Sequence, residues 1–192
     1  MRIVEGFIEV SRETLETRVR VRVRLRGTGK FEIRTTIPFL DHMLKTLALH
    51  SLMDLYIDAE GDLHHHIAED VAITLGQAIG RALGKREGLR RFGYAKVPMD
   101  ESLAEAAVDL ISRPFAVVNL NLSAGSIEGF DAKLLVHFIR SFACSIPATV
   151  HVNVIYGEDD HHKAEAAFKA LALALRDAWS KVNFPTTVKG VY

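Results

Sequence analysis

Cysteine and a charge surplus are what this 192-residue chain most lacks, and each absence narrows what it can be. Cys144 is the only cysteine, so neither an intrachain disulfide framework nor a thiolate zinc site is open to it. Without a partner thiol, Cys144 is expected to serve as a small buried hydrophobe. Lys and Arg number 24, as do Asp and Glu, and the zero net charge removes any sequence-independent pull towards nucleic acid or anionic membrane. No apolar run approaches the roughly 20 residues that cross a bilayer. The chain opens on Arg2-Ile3-Val4-Glu5 without an apolar signal core. A cytoplasmic globular protein is expected, with neither nucleic acid nor membrane as partner. Hydrophobic residues at 48% can fill the core of one large domain or two small ones.

What is present is a repeated set of histidines. His42 precedes His65-His66-x-x-Glu69, and His137 precedes His161-His162-x-x-Glu165; the lone His leads its pair by 23 residues in the first set and 24 in the second. Around these sets the chain reads as two similar halves, 1–92 and 93–192. From Thr17 to Leu25 a hydrophobic face of Thr17, Val19, Val21, Val23 and Leu25 alternates with Arg18, Arg20, Arg22, Arg24 and Arg26, as in a strand with one wet or subunit-facing side. An extended segment over Phe31 to Ile37 leads to Pro38, which can open a helix. A strand over Leu52 to Ala59 and a helix over Ile67 to Leu83 follow. Beyond the connector Gly88-Leu89-Arg90-Arg91-Phe92-Gly93 the order returns, with strands between Met99 and Asn121, a helix around Val136 to Ala143 and a strand over Val150 to Ile155. Laid over Asp41 to Ala48, Val136 to Ala143 matches histidine, hydrophobes, base, hydroxyl and alanine in register, so duplication is the natural explanation.

Placed on helices, His66 with Glu69 and His162 with Glu165 stand three apart and are expected to chelate one ion each. Adjacent residues point about 100° apart, so His65 and His161 are expected to serve the opposite half's ion. Symmetry then groups His42, His66, Glu69 and His161 around one metal, and His137, His162, Glu165 and His65 around the other. Imidazoles and a carboxylate without thiolate suit manganese, iron or zinc, and octahedral manganese keeps positions open for substrate. A ferritin-like di-iron site spaces Glu before His, the reverse of the order here.

Taken together, these residues resemble the imidazoleglycerol-phosphate dehydratases of histidine biosynthesis. The resemblance also rests on Arg12-x-Thr14-x-Glu16-Thr17, Leu89 to Gly93, Pro98-Met99-Asp100-Glu101, Arg113-Pro114, His137-Phe138-x-Arg140-Ser141-Phe142 and Glu165-Ala166-x-Phe168-Lys169-Ala170. It implies an α+β fold, a tandem duplication of a four-stranded sheet with two helices on one side. It further implies trimers assembling into shells of 24 subunits, with metal sites completed between neighbouring chains, and two Mn2+ per active site. Two departures stand out. The segment before the histidine pair is short and carries His64, expected to be a spectator, and the family's C-terminal Pro-Ser-Thr-Lys-Gly appears as Thr186-Thr187-Val188-Lys189-Gly190.

The implied reaction removes water from imidazole glycerol phosphate and, after tautomerisation, leaves imidazole acetol phosphate. The proton to be removed sits on an unactivated carbon. Holding the imidazole ring as imidazolate between two Lewis-acidic metals lets a diazafulvene form, and that ring can take up the electrons released with the carbon proton. A carboxylate must take the carbon proton: Glu165 is the first choice as base and Glu16 as contact to the substrate hydroxyls, with Glu69 and Glu16 exchangeable for either role. For the phosphate the resemblance points to Arg91, Arg113, Lys169, Thr187 and Lys189. A dinuclear phosphate-ester hydrolase and a non-catalytic metal-assembled shell are the rival readings.

Overall fold

A computed structural model describes residues 6–187 together with the backbone of 2–4. The first half runs β1 (Arg2–Val4), β2 (Phe7–Glu13), β3 (Thr17–Arg24), β4 (Phe31–Arg34), α1 (Pro38–Ser51), β5 (Asp54–Gly61) and α2 (His64–Leu83). The second runs β6 (Phe92–Met99), β7 (Ser102–Asp109), β8 (Phe115–Asn119), β9 (Ser126–Ile127), β10 (Phe130–Asp131), α3 (Ala132–Ser145), β11 (Thr149–Tyr156) and α4 (Asp160–Ala178).

The sheet orders are β1-β2-β3-β5-β4 and β6-β7-β11-β8. In each, the strand before the first helix pairs parallel with the strand after it, β4 with β5 and β8 with β11, while the other pairs are antiparallel. Without the edge strand β1 and the small β9–β10 ribbon, the two halves have one topology, which is the expected α+β duplication. The first sheet thus has five strands where four were expected. Strand β6 begins at Phe92, inside what reads in sequence as connector, because Gly93, Lys96 and Pro98 blur its alternation.

Val19, Val21 and Val23 of β3 are buried beneath α2, and the arginines between them face outward. On that outer side Arg18 pairs with Glu60, Arg24 with Asp54, and the Arg22 guanidinium lies 5.2 Å from the Tyr56 ring centre. Pro38 occupies the first turn of α1, where its missing N–H costs nothing. The helices form an inner layer: α1 packs on α4 and α2 on α3, so each helix meets one from the other half. Two glycines set these approaches. A Cβ on Gly76 of α2 would lie 2.7 Å from the Phe142 carbonyl oxygen of α3, and one on Gly93 of β6 would lie 1.9 Å from the Ala174 carbonyl oxygen of α4. Cys144 departs from expectation and is exposed, because the buried stripe of α3 passes through Phe142 and Ala143 and the next residue turns outward.

Asp54 opens β5 with no solvent exposure and pins the 27–30 turn, accepting from the N–H of Thr28 at 2.8 Å and of Lys30 at 3.0 Å and from Arg24 Nε at 3.0 Å. Burial pushes its carboxyl up, but the two N–H donors and the guanidinium outweigh burial and hold it below its ordinary value. A carboxyl lowered by folding stabilises the native state above its unfolded pKa, near 3.9, and that contribution is lost as pH falls through the folded value. Asp54→Asn is therefore expected to cost about 2–4 kcal/mol at pH 7. In urea unfolding the gap to the parent should shrink as pH drops below about 4; a gap independent of pH would refute the ionic role.

Candidate metal centre

The helix layer brings two triads together. His42 of α1 meets His161 and Glu165 of α4, with His42 Nε2 3.4 Å and His161 Nε2 3.5 Å from Glu165 Oε2. Its counterpart joins His137 of α3 to His65 and Glu69 of α2, with His137 Nε2 3.3 Å from Glu69 Oε1 and His65 Nε2 3.9 Å from Glu69 Oε2. Within each triad the ligand atoms lie within 4.8 Å of one another, a spacing that can hold a metal ion. His137 Nε2 is buried with no hydrogen-bond partner among the described residues. An orphaned imidazole nitrogen facing a carboxylate oxygen fits a cation between them, and two imidazoles with one carboxylate suit the metals named above.

Sequence symmetry paired His42 with His161 and His137 with His65, and the fold brings these pairs together. The carboxylates differ from expectation: the first His of each pair, not the second, shares its Glu's face. On a helix of 3.6 residues per turn a spacing of four leaves side chains about 40° apart and a spacing of three about 60°. The inward direction of α2 and α4 runs along the tighter pair.

His66 and His162 consequently point away from the triads. His66 Nδ1 lies 2.7 Å from Asp62 Oδ1 and 3.7 Å from Glu16 Oε2, and His162 Nδ1 lies 2.7 Å from Glu101 Oε2. The Asp62 hydrogen bond raises the pKa of His66, and the Glu101 hydrogen bond raises that of His162. A carboxylate on Nδ1 fixes each ring and presents Nε2, an arrangement common behind metal-bound histidines, although at His162 the exposed Asp100 carboxylate lies 3.6 Å from Nε2.

Glu16 and Glu101 occupy equivalent places, each immediately before the second main strand of its half. Glu101 is absent from the sequence-based candidates, although the duplication carries the signal for it. Their surroundings differ. Glu101 accepts from the N–H of Asp159 at 2.9 Å and of Glu158 at 3.1 Å and from Ser102 Oγ at 2.9 Å. These donors, led by the Asp159 N–H and joined by His162, hold its carboxyl far below the usual range. The Glu16 side chain is 56% exposed and has only His66 as a charged neighbour among the described residues.

Lys169 closes the first triad from the side, with Nζ 2.8 Å from Glu165 Oε1 and 3.1 Å from Met99 Sδ. Burial pushes the Glu165 carboxyl up, but the Lys169 ammonium and His42 outweigh it and hold it below its ordinary value. His50, which the sequence did not single out, is held low by burial and by Lys169. Glu128 of the β9–β10 turn reaches within 3.7 Å of His161 Nδ1. His64 opens α2, exposed.

The remaining phosphate candidates lie elsewhere. Arg91 forks onto Asp109 at 2.7 and 3.0 Å, donates to the Thr186 carbonyl oxygen at 3.3 Å and stacks on Phe92. It precedes β6, whose other end, Met99, touches Lys169; an eight-residue strand separates the two by about 26 Å. Arg113 follows β7 at the same far end, where its carbonyl accepts from Thr149 Oγ1 at 3.3 Å. Thr187 follows Thr186 there, and Lys189 lies outside the described residues.

If the carboxylates hold the outward rings as described, Glu101→Gln should lower the His162 pKa towards 6.5 in metal-free protein, and Asp62→Asn should do the same for His66. Histidine NMR titration reads both, and unchanged pKa values would remove the carboxylates as the cause.

Over residues 35–175 the sequence matches the model of the imidazoleglycerol-phosphate dehydratase family. An imidazoleglycerol-phosphate dehydratase of Acidovorax sp. is 49% identical over 173 residues, covering 88% of this chain and 82% of its own. One from Clostridium botulinum is 41% identical over 192 residues, covering 97% and 98%. Among solved structures, the Staphylococcus aureus dehydratase superposes with a TM-score of 0.85 at 32% identity, covering 92% of this chain and 99% of its own. The Pyrococcus furiosus enzyme, in complex with (S)-C348, gives 0.84 at 39%, covering 95% and 100%.

Proposed function

The chain belongs to the imidazoleglycerol-phosphate dehydratase family, and from that premise we propose how its residues carry out the dehydration in histidine biosynthesis. The product is imidazole acetol phosphate, released with water. One Mn2+ is held by His42, His161 and Glu165 and another by His65, His137 and Glu69, with His66 and His162 completing the sites of neighbouring copies. The observation that carries this reading is the pair of equivalent triads, each flanked by a histidine whose Nε2 is turned outward by a carboxylate.

When bound, the ions supply Lewis acidity to the substrate's imidazole ring. Glu165 and Glu69 serve as ligands. A carboxylate engaged by two imidazoles and an ammonium is a weak base, which argues against Glu165 as proton acceptor. Glu16, exposed beside His66 and without strong donors, takes the proton from carbon and returns it to the departing hydroxyl, so one group serves both transfers and the enol left behind tautomerises to the ketone. Glu101 is already saturated with donors and orients His162 instead. Lys169 binds the phosphate from the triad side. Arg91, Arg113, Thr187 and Lys189 reach it from another copy, since about 26 Å of strand separates the first two from this chain's own triad. Trimers assembling to a 24-mer provide those neighbours, and the cytoplasm is the expected compartment.

Chelator-treated protein should regain conversion of imidazole glycerol phosphate when Mn2+ is restored. Phosphate release instead would favour a hydrolase, and metal-driven assembly without turnover a shell. Glu16→Gln should lower kcat at least ~100-fold with bound metal unchanged; loss of metal would make Glu16 a ligand. Inactive His42→Ala and Arg113→Ala chains, unfolded and reassembled together, should recover part of the activity, because some composite sites then draw intact residues from both. No recovery would refute the shared site.

A further inference from the structure

The first triad has two charged neighbours that the second lacks, the largely exposed Glu128 beside His161 and the sheltered Lys169, and only Lys169 touches the ligand carboxylate itself. Glu165 Oε2 faces His42 and His161, while its Oε1 is 2.8 Å from the Lys169 ammonium, one turn along α4. This pair is sheltered, with side-chain exposures of 13% for Glu165 and 20% for Lys169. On α2 the position one turn after Glu69 is Ile73. Glu69, at 39% exposure, has only the imidazoles of His65 and His137 as charged neighbours among the described residues. An ion in the first triad therefore has a positive charge on the far oxygen of its own carboxylate ligand, and an ion in the second does not.

We propose that Lys169 makes the two metal positions unequal and ties the weaker one to the phosphate: the His42–His161–Glu165 position binds its ion loosely until an oxyanion engages Lys169. The inference rests on the reading of the triads as metal sites and deepens it. The ammonium repels a second cation and draws electron density from the shared carboxylate, and in this sheltered corner water screens neither effect well. A phosphate dianion on Lys169 turns that local positive charge negative, so the ion binds more tightly. Linkage is reciprocal: the ion must tighten the phosphate by the same factor. The second triad, with Ile73 where Lys169 would stand, feels no such switch. Its ion loads first and stays; the other arrives with substrate, so a complete metal pair forms only when something is there to dehydrate.

The test counts ions and needs no turnover. Assembled, metal-stripped protein is titrated with Mn2+ against a chelator, with free and bound Mn2+ read by electron paramagnetic resonance, in chloride and in sulfate of equal ionic strength. Two classes per chain are expected, at least about tenfold apart in chloride, the scale of ordinary coupling between sites, and closer together in sulfate. Lys169→Met should close the gap and remove the sulfate effect, while Lys169→Arg should keep both. Ile73→Lys, placing a cation beside Glu69, should weaken the tight class by a similar factor. His42→Ala should delete the weak class and His137→Ala the tight one. Equal classes in the parent, or a gap that ignores sulfate or Lys169→Met, would overturn the coupling and leave the triads as metal sites. Fewer than two bound ions, with no effect of His42→Ala or His137→Ala, would overturn the triads themselves.

Discussion

Everything at the metal centre depends on how closely helices from opposite halves approach. His65 and His137 stand on different helices, α2 and α3, and reach one point because those helices are almost backbone to backbone at Gly76, where a Cβ would press within 2.7 Å of the Phe142 carbonyl oxygen. Gly76 is seven residues beyond Glu69, two turns along the same face, so the contact that seats the helix also aims the ligand. On the other side α1 meets α4, and α4 is drawn onto its sheet at Gly93. Neither half holds a triad by itself. The duplication is therefore more than ancestry, since each copy supplies the lone histidine that the other copy's His-x-x-x-Glu needs.

Near-symmetry leaves the differences informative. Glu16 and Glu101 have the same place in their halves, yet one is open and the other is saturated by two backbone N–H groups, a hydroxyl and an imidazole. Asp160 of α4, buried with Lys163 and clamping the 123–124 backbone, occupies the place that His64 has on α2. In each case one copy spends the position on structure and leaves the other exposed. The same division separates Glu165, tied to Lys169, from Glu69.

Much of this was legible in the sequence, and the misses share a cause. The alternation of β3, the proline opening α1 and the spacing of the histidines fix elements through local rules, and the cross-pairing of His42 with His161 follows from the duplication alone. The carboxylate partners did not follow. Spacings of three and four both lie on one helix face, and only packing against the other half decides which of His65 and His66 turns inward. Glu101 escaped because its role comes from donors on the distant 158–159 segment. Cys144 faces outward because one residue of rotation separates it from Ala143 in the core of α3. Each turns on tertiary contact, which sequence period constrains only loosely.

The distances within one chain bear directly on assembly. A phosphate held by Lys169 cannot also touch Arg91 or Arg113 of the same chain, because the length of β6 lies between them, about 26 Å. Arg91 is also not a loose side chain able to swing across: it is forked onto Asp109 and stacked on Phe92, an arrangement that fixes its guanidinium at the far end of the sheet. If those arginines serve the phosphate, they serve another copy's. The outward Nε2 atoms of His66 and His162 make the same demand from the metal side. Arg91 and the imidazoles of His66 and His162 are thus each held by a carboxylate of this chain and away from its own triads. Placement away from the chain's own site is what completing a neighbour's would require, because a side chain meant for its own site would be oriented towards it.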